Sequence, residues 1–216
     1  MSQLPLCAII GSGPGLGLSI GQEFARKGFR IALFARRGAA AEVSALRSEG
    51  FAAEGHALDC GDPAAVHAAL AALGPVQVLV YNAAAVTQAM PLALTPQQLL
   101  ADFTVSVASA LASVQAVAPA MPSGGSVLLT GGGFALRPMA VLTSLGIGKA
   151  GIRNLAFSLA EALRPQGIRV ATVTVLGIVA PGSAFDPAAI AARFAALHDD
   201  RDESLGVESQ FTGAAT

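Results

Sequence analysis

The sequence predicts an α/β fold: one domain built on a doubly wound parallel sheet of six or seven strands, with helices on both faces. Three observations predict it. Short apolar runs rich in Val, Ile and Leu alternate along the chain with longer segments of helical periodicity, the pattern of repeated strand–helix–strand units. The 216 residues are 53% hydrophobic and only 12% charged, as a sheet covered on both faces requires. The first apolar run, Leu6 to Ile10, passes directly into a glycine-rich turn and then into a helical stretch.

Taken in order, the strands are expected at about 5–10, 30–35, 53–58, 76–81, 125–130 and 168–175, each a short apolar run. The helices between and after them are expected near 15–28, 39–49, 63–73, 96–121, 143–164 and 187–198. Asp62-Pro63 and Thr95-Pro96 read as helix starts, with the polar residue as N-cap and proline in the first turn. Right-handed crossovers between such units give the doubly wound order, which binds ligands at the carboxyl ends of its strands. From Arg201 the chain is polar and contains glycine, with no clear seventh strand, so the tail is expected to be short, swapped or disordered. No linker, internal repeat or sustained low-complexity segment divides residues 1–216, which read as a single domain.

A net charge of −1 argues against nucleic acid or an anionic membrane as partner. The apolar runs are broken by Gly, Pro or polar residues, so no membrane span is expected, and the N-terminus lacks a signal-peptide pattern. A cytoplasmic location follows as the expectation. Cys7 and Cys60 have neither metal nor redox spacing and read as buried thiols without a disulfide. No metal site is expected.

The chemistry begins at Gly11-Ser12-Gly13-Pro14-Gly15-Leu16-Gly17. A glycine turn between a strand and a helix start aims backbone N–H groups at a pyrophosphate, and its glycines serve a tight turn and close cofactor approach. These seven residues, proline apart, are the expected dinucleotide cradle. The competing reading is a structural turn of the same shape.

Further motifs fall in order: Ala35-Arg36-Arg37 after the second strand, Asp59 after the third, Tyr81-Asn82-Ala83-Ala84 after the fourth, and Lys149 early in a long helix. Together with the glycine turn they resemble the short-chain dehydrogenase/reductase family over nearly the whole chain. The resemblance implies a Rossmann-like domain, a nicotinamide cofactor and a small-molecule substrate. It places Asn82 and Ala83 beside the cofactor, Asp59 at the adenine, and Lys149 on the nicotinamide ribose. It also implies a homodimer or homotetramer through the helices at 96–121 and 143–164.

Charge selects the cofactor. The residue ending the second strand meets the adenosine ribose, where an acid suits a 2′-OH and a base a 2′-phosphate. Arg36 and Arg37 stand there with no acid, so NADP(H) is expected over NAD(H).

The catalytic positions depart from the family. Counting back from Lys149, the family's tyrosine position falls on Leu145, its serine position on Gly132, and its helix asparagine on Ser106. Leucine cannot donate a proton, so carbonyl reduction assisted by a tyrosine acid is not supported. The lone tyrosine, Tyr81, reads either as packing near the nicotinamide or as a distant acid. Ser144, like Thr143, bears a hydroxyl whose expected role is to orient substrate or water. Lys149, Ser106, Ser144 and Tyr81 are therefore the candidate catalytic set.

Past the sixth strand, Leu176-Gly177-Ile178-Val179 resembles the family's Pro-Gly segment, which implies that backbone groups of Ile178 and Val179 face the carboxamide. Ser183 is expected on the pyrophosphate or carboxamide. Residues 180–200 take the place of a substrate lid, with Phe185, Ile190, Phe194 and Leu197 facing either a hydrophobic substrate or the core. His198 reads as a candidate acid or as a surface histidine at a helix end. Three functions fit these residues. One is an NADPH-dependent reductase whose substrate, a carbonyl, imine or activated alkene, dispenses with the tyrosine. The others are an inactive NADPH-binding partner or regulatory subunit, and a non-redox lyase or isomerase.

Overall fold

The structure, a computed structural model, describes residues 4–213. The extreme ends of the expected 1–216 domain lie outside these residues. The strands are β1 (Leu6–Ile10), β2 (Arg30–Ala35), β3 (Ala53–Ala57), β4 (Val78–Tyr81), β5 (Ser126–Gly132), β6 (Arg169–Val175) and β7 (Glu208–Phe211). They form one sheet of order β3-β2-β1-β4-β5-β6-β7 in which every pairing is parallel. The order reverses between β1 and β4, where Ile10 pairs with Tyr81. This switch point puts the glycine turn after β1 and Asn82 after β4 side by side, in the crevice where such sheets take ligands.

Helices α1 (Leu16–Arg26), α2 (Ala40–Ser48) and α7 (Pro187–Asp199) cover one face. Helices α3 (Pro63–Ala71), α4 (Pro96–Phe103), α5 (Ser109–Val117) and α6 (Thr143–Leu163) belong to the other. The starts at Asp62 and Thr95 are capped as expected: Asp62 accepts from the N–H groups of Ala64 and Ala65, and Thr95 forms a capping box with Gln98. Cys7 and Cys60 are buried free thiols.

Of the six or seven strands expected the sheet has seven: the tail, which shows no clear strand in its sequence, supplies a short one that pairs with β6 through Val175 and Phe211. Its sequence hid it because only Ser209 and Phe211 point inward, so this edge strand carries no apolar run. The helix expected at 96–121 is interrupted at Thr104–Ala108 by a π-turn. The lid expected at 180–200 is not a lid. Residues 187–199 form α7, whose Ile190, Phe194 and Leu197 are wholly buried against α1 and the sheet. Burying each such side chain contributes about 1.5–3 kcal/mol, which holds the helix in the core. Only the connection 176–186 remains over the site.

The helical run Pro96–Ala120 is long and apolar enough by length and composition to cross a membrane, contrary to the sequence expectation. Half of its most apolar window is buried inside the fold, where α5 packs on α3 and α4 on α6.

Candidate functional site

The glycine turn has two kinds of glycine. Gly11 has φ +85°, and a Cβ there would stand 2.4 Å from the Ala83 nitrogen; at Gly17 it would stand 2.8 Å from the Ser12 Cα. These two permit the close passage of β1, α1 and the segment after β4. Gly13 and Gly15 instead have no atom within 4 Å of a built Cβ and face open space. Helix α1 starts at Gly15 without a side-chain cap, leaving its N-terminal donors to a ligand. Beside them the buried Ser12 hydroxyl has no protein partner. An orphaned donor, an uncapped helix start and room above two glycines fit a dinucleotide pyrophosphate.

A cavity of about 630 Å³ opens at this turn and is lined by Ser12, Ala35, Arg36, Asp59, Asn82 and Ala83, among others. Arg36 and Arg37 are both exposed, and of the two only Arg36 lines it. Asp59 borders the cavity while its Oδ1 accepts from the Gly61 N–H at 2.8 Å, a turn-capping bond. Asn82 crosses the switch point: its Nδ2 donates to the Gly11 carbonyl at 2.8 Å, and its Oδ1 accepts from Thr130 Oγ1 at 3.0 Å.

A second cavity of about 410 Å³ adjoins the first at Asn82 and is lined by Gly15, Leu16, Phe134, Leu145, Lys149 and Val179, among others. Lys149 Nζ donates to the Thr130 carbonyl at 2.8 Å. Its stem lies over Gly132, where a Cβ would sit 3.4 Å from Cγ, Cδ and Cε. Burial lowers its amine to about 8, because desolvation penalises the ammonium form. Leu145 and Gly132 present isobutyl and hydrogen to this cavity. Gly177 and Val179 border this cavity, but the side chain of Ile178 is 85% exposed and turned away.

The remaining candidates serve the fold instead. Tyr81 is buried, and its hydroxyl donates to the Val105 carbonyl within the π-turn. Desolvation, foremost, pushes its phenol above the ordinary value, so it is an anchor and not an acid. The buried Ser106 accepts from the Ala85 N–H at 3.2 Å. Ser144, also buried, holds Thr87 by accepting from its N–H at 3.1 Å and donating to its carbonyl at 3.3 Å. Thr143 donates to the Ala140 carbonyl. Ser183 donates to the Ala180 carbonyl and accepts from the Phe185 N–H, closing its own turn. His198 is only 5% exposed, hydrogen-bonds Ser126 at 2.7 Å, and packs edge-on to Phe24 and Phe29. Ser126 begins β5, so His198 lies at the opposite end of the sheet from the cavities. Burial lowers its pKa to about 4. Neither a catalytic nor a surface histidine, it is a core residue.

Sequence reasoning missed Thr130, which joins Asn82 to Lys149 through its hydroxyl and carbonyl. The signal was its place at the carboxyl end of an apolar run, before three glycines. Asp102 was missed too; from α4 it accepts from the Thr87 N–H at 2.6 Å.

The model of the short chain dehydrogenase family matches residues 6–184. Oxidoreductase asL5 of Sarocladium schorii is 31% identical over 168 residues, which are 75% of this chain and 67% of that protein. The probable galactose dehydrogenase GalD of Rhizobium meliloti (strain 1021) is 35% identical over 174 residues, again 75% of this chain and 67% of that protein. A crystal structure of a metagenomic short-chain oxidoreductase in complex with NADP has a TM-score of 0.82 and 27% identity, covering 95% of this chain and 96% of that one.

Proposed function

The chain belongs to the short chain dehydrogenase family, and from that premise we propose that it is an NADPH-dependent oxidoreductase that reduces a small apolar substrate without a tyrosine acid. The observation that carries this is the contrast between the two halves of the crevice. The nucleotide half keeps its open glycines, the orphaned Ser12 hydroxyl and Arg36, while the reaction half replaces the proton-donating positions with Leu145 and Gly132.

In this reading the N-terminus of α1 and Ser12 hold the pyrophosphate, and Arg36 pairs with a 2′-phosphate. The NADP complex of the metagenomic relative supports the cofactor, though not its preference over NAD. Lys149 hydrogen-bonds the nicotinamide ribose hydroxyls, and Val179 and the backbone of Ile178 border the carboxamide. A reduced nicotinamide bound there supplies a hydride. Leu145, Leu16 and Phe134 exclude water from the reacting carbon and favour an apolar body. A protonated imine already carries its proton, and an activated alkene takes its second one from water; both dispense with the missing acid, unlike a plain ketone.

The apolar replacements also favour a second reading, a binding-only partner or regulatory subunit that holds NADPH without turning it over. The exposed Leu100, Leu111, Ile147 and Phe157 of α4, α5 and α6 support a homodimer or homotetramer. A cytoplasmic location belongs to the same proposal.

Calorimetric titration with NADPH and NADH, then NADPH consumption against ketones, imines and activated alkenes, tests both readings. Tight NADPH binding with turnover of imines or alkenes is expected. Binding without turnover selects the regulatory reading, and no binding of either nucleotide overturns both.

A further inference from the structure

Lys149 is the one titratable side chain among the residues that line its cavity. Leu16, Phe134, Leu145, Val175 and Val179 make an apolar wall around it. Nothing projects from Gly132 beneath its stem. Its partner is a carbonyl, that of Thr130, which bears no full charge and so holds the ammonium proton less firmly than a carboxylate would. Further along the helix, the carboxylate of Glu208 on β7 is taken by Arg153 at 2.8 Å and by the Thr174 hydroxyl at 2.7 Å. Burial to a pKa of about 8 leaves roughly one amine in ten neutral at pH 7, against fewer than about one in a thousand for an ordinary lysine.

We infer that Lys149 is a carbonyl-condensing amine, which forms a Schiff base with uncharged aldehydes or ketones whose apolar bodies enter the cavity between Leu145 and Phe134. A neutral amine in a desolvated pocket is the form that attacks carbonyls. Its lone pair forms the C–N bond while the C=O π pair moves to oxygen, which takes up a proton as the nitrogen gives one to solvent. The carbinolamine then loses water: the C–O bond breaks, the nitrogen lone pair closes the C=N bond, and the second N–H proton leaves. Amine and carbonyl become imine and water with no change of oxidation state. The step uses no nucleotide and goes beyond the reductase reading.

The chain has only two lysines, and Lys27 is ion-paired with Asp199 at 2.7 Å on the surface. The full chain is incubated at pH 7 with hexanal and sodium cyanoborohydride, and adducts are mapped by peptide mass spectrometry, with the N-terminal amine read separately. Lys149 should be labelled at least about tenfold faster than Lys27 and than it is by glyoxylate, a charged aldehyde. The Lys149 adduct should persist in Lys27→Arg and vanish in Lys149→Arg. Labelling of Lys149 no faster than Lys27, or equal labelling by glyoxylate, overturns the inference. Because the assay is free of nucleotide, its failure leaves the reductase reading intact, and a failure to bind NADPH leaves the labelling result intact.

Discussion

Asn82 holds Gly11 across the switch point, donating from Nδ2 to the glycine carbonyl at 2.8 Å. Its Oδ1 accepts from Thr130, whose carbonyl in turn accepts from Lys149. The cradle after β1 and the lysine on α6 are thereby linked through the ends of β4 and β5.

Asn82→Ala should disturb both ends of this chain. It leaves the Gly11 carbonyl and the Thr130 hydroxyl without their side-chain partner, at a cost of about 1–3 kcal/mol in stability. NADPH affinity should fall about tenfold as the turn loosens. Urea unfolding and calorimetric titration measure the two effects, and unchanged affinity would show that the turn needs no such support.

Gly11→Ala and Gly13→Ala should separate folding from binding. Alanine at 11 meets both a positive φ and backbone at 2.4 Å, so stability should fall by more than about 1 kcal/mol. Alanine at 13 meets nothing within 4 Å, so the protein should unfold at the parent denaturant concentration. Its methyl group would nevertheless occupy ligand space, and nucleotide affinity should drop at least about tenfold. Equal affinity for Gly13→Ala and the parent would remove the pyrophosphate from that place.

Arg36→Ala should weaken NADPH binding about tenfold while leaving NADH nearly unchanged, since a charge-assisted phosphate contact is worth about 1.5–3 kcal/mol. Arg37→Ala should change neither, because Arg37 does not line the cavity. Parallel losses for both nucleotides in Arg36→Ala would mean that this guanidinium reads the adenine or nothing at all.

The architecture was legible because parallel strands and their crossovers write strong periods into sequence, and the glycine turn marks the switch point beside it. The fate of individual polar side chains was not. Tyr81 looked like chemistry from its place after β4, yet its hydroxyl completes the carbonyl of a π-turn that periodicity does not announce. Ser144 sits beside the tyrosine position in sequence, but on a helix adjacent residues face different ways. Leu145 borders the cavity while Ser144 is turned onto Thr87. His198 ends a helix and precedes two aspartates, all signs of surface, and only the packing of α7 on α1 buries it.

Burial of His198 gives stability a pH dependence. Its folded pKa of about 4 lies below the ordinary value of 6.5, so the unfolded chain accepts a proton that the folded state refuses. Stability present above 6.5 is therefore lost as the pH falls from there toward 4. Between pH 7 and pH 5 the loss from this residue is about 2 kcal/mol. Urea unfolding at both values should show a smaller decrease in His198→Gln than in the parent, by about that amount. Equal decreases would place the histidine in contact with solvent.

Leu145→Tyr combined with Gly132→Ser should create ketone reduction. Leu145 borders the cavity four residues before Lys149, one turn along the same helix face, so a phenol there shares space with the ammonium. A nearby positive charge stabilises phenolate and suits the tyrosine to proton transfer near neutral pH. Gly132 accepts a Cβ at ordinary van der Waals distance from the lysine stem, which admits serine without moving β5. Ser106 is better left alone, because its buried hydroxyl already accepts from the Ala85 N–H. A positioned general acid contributes about 10²–10⁴-fold, so NADPH-linked turnover of an apolar ketone should rise by at least about 10²-fold in the double variant. Because the acid acts only on substrates that need a proton, imine turnover should change far less. If the double variant binds NADPH as tightly as the parent yet gains no ketone activity, the two substitutions are not what separates this chain from a carbonyl reductase.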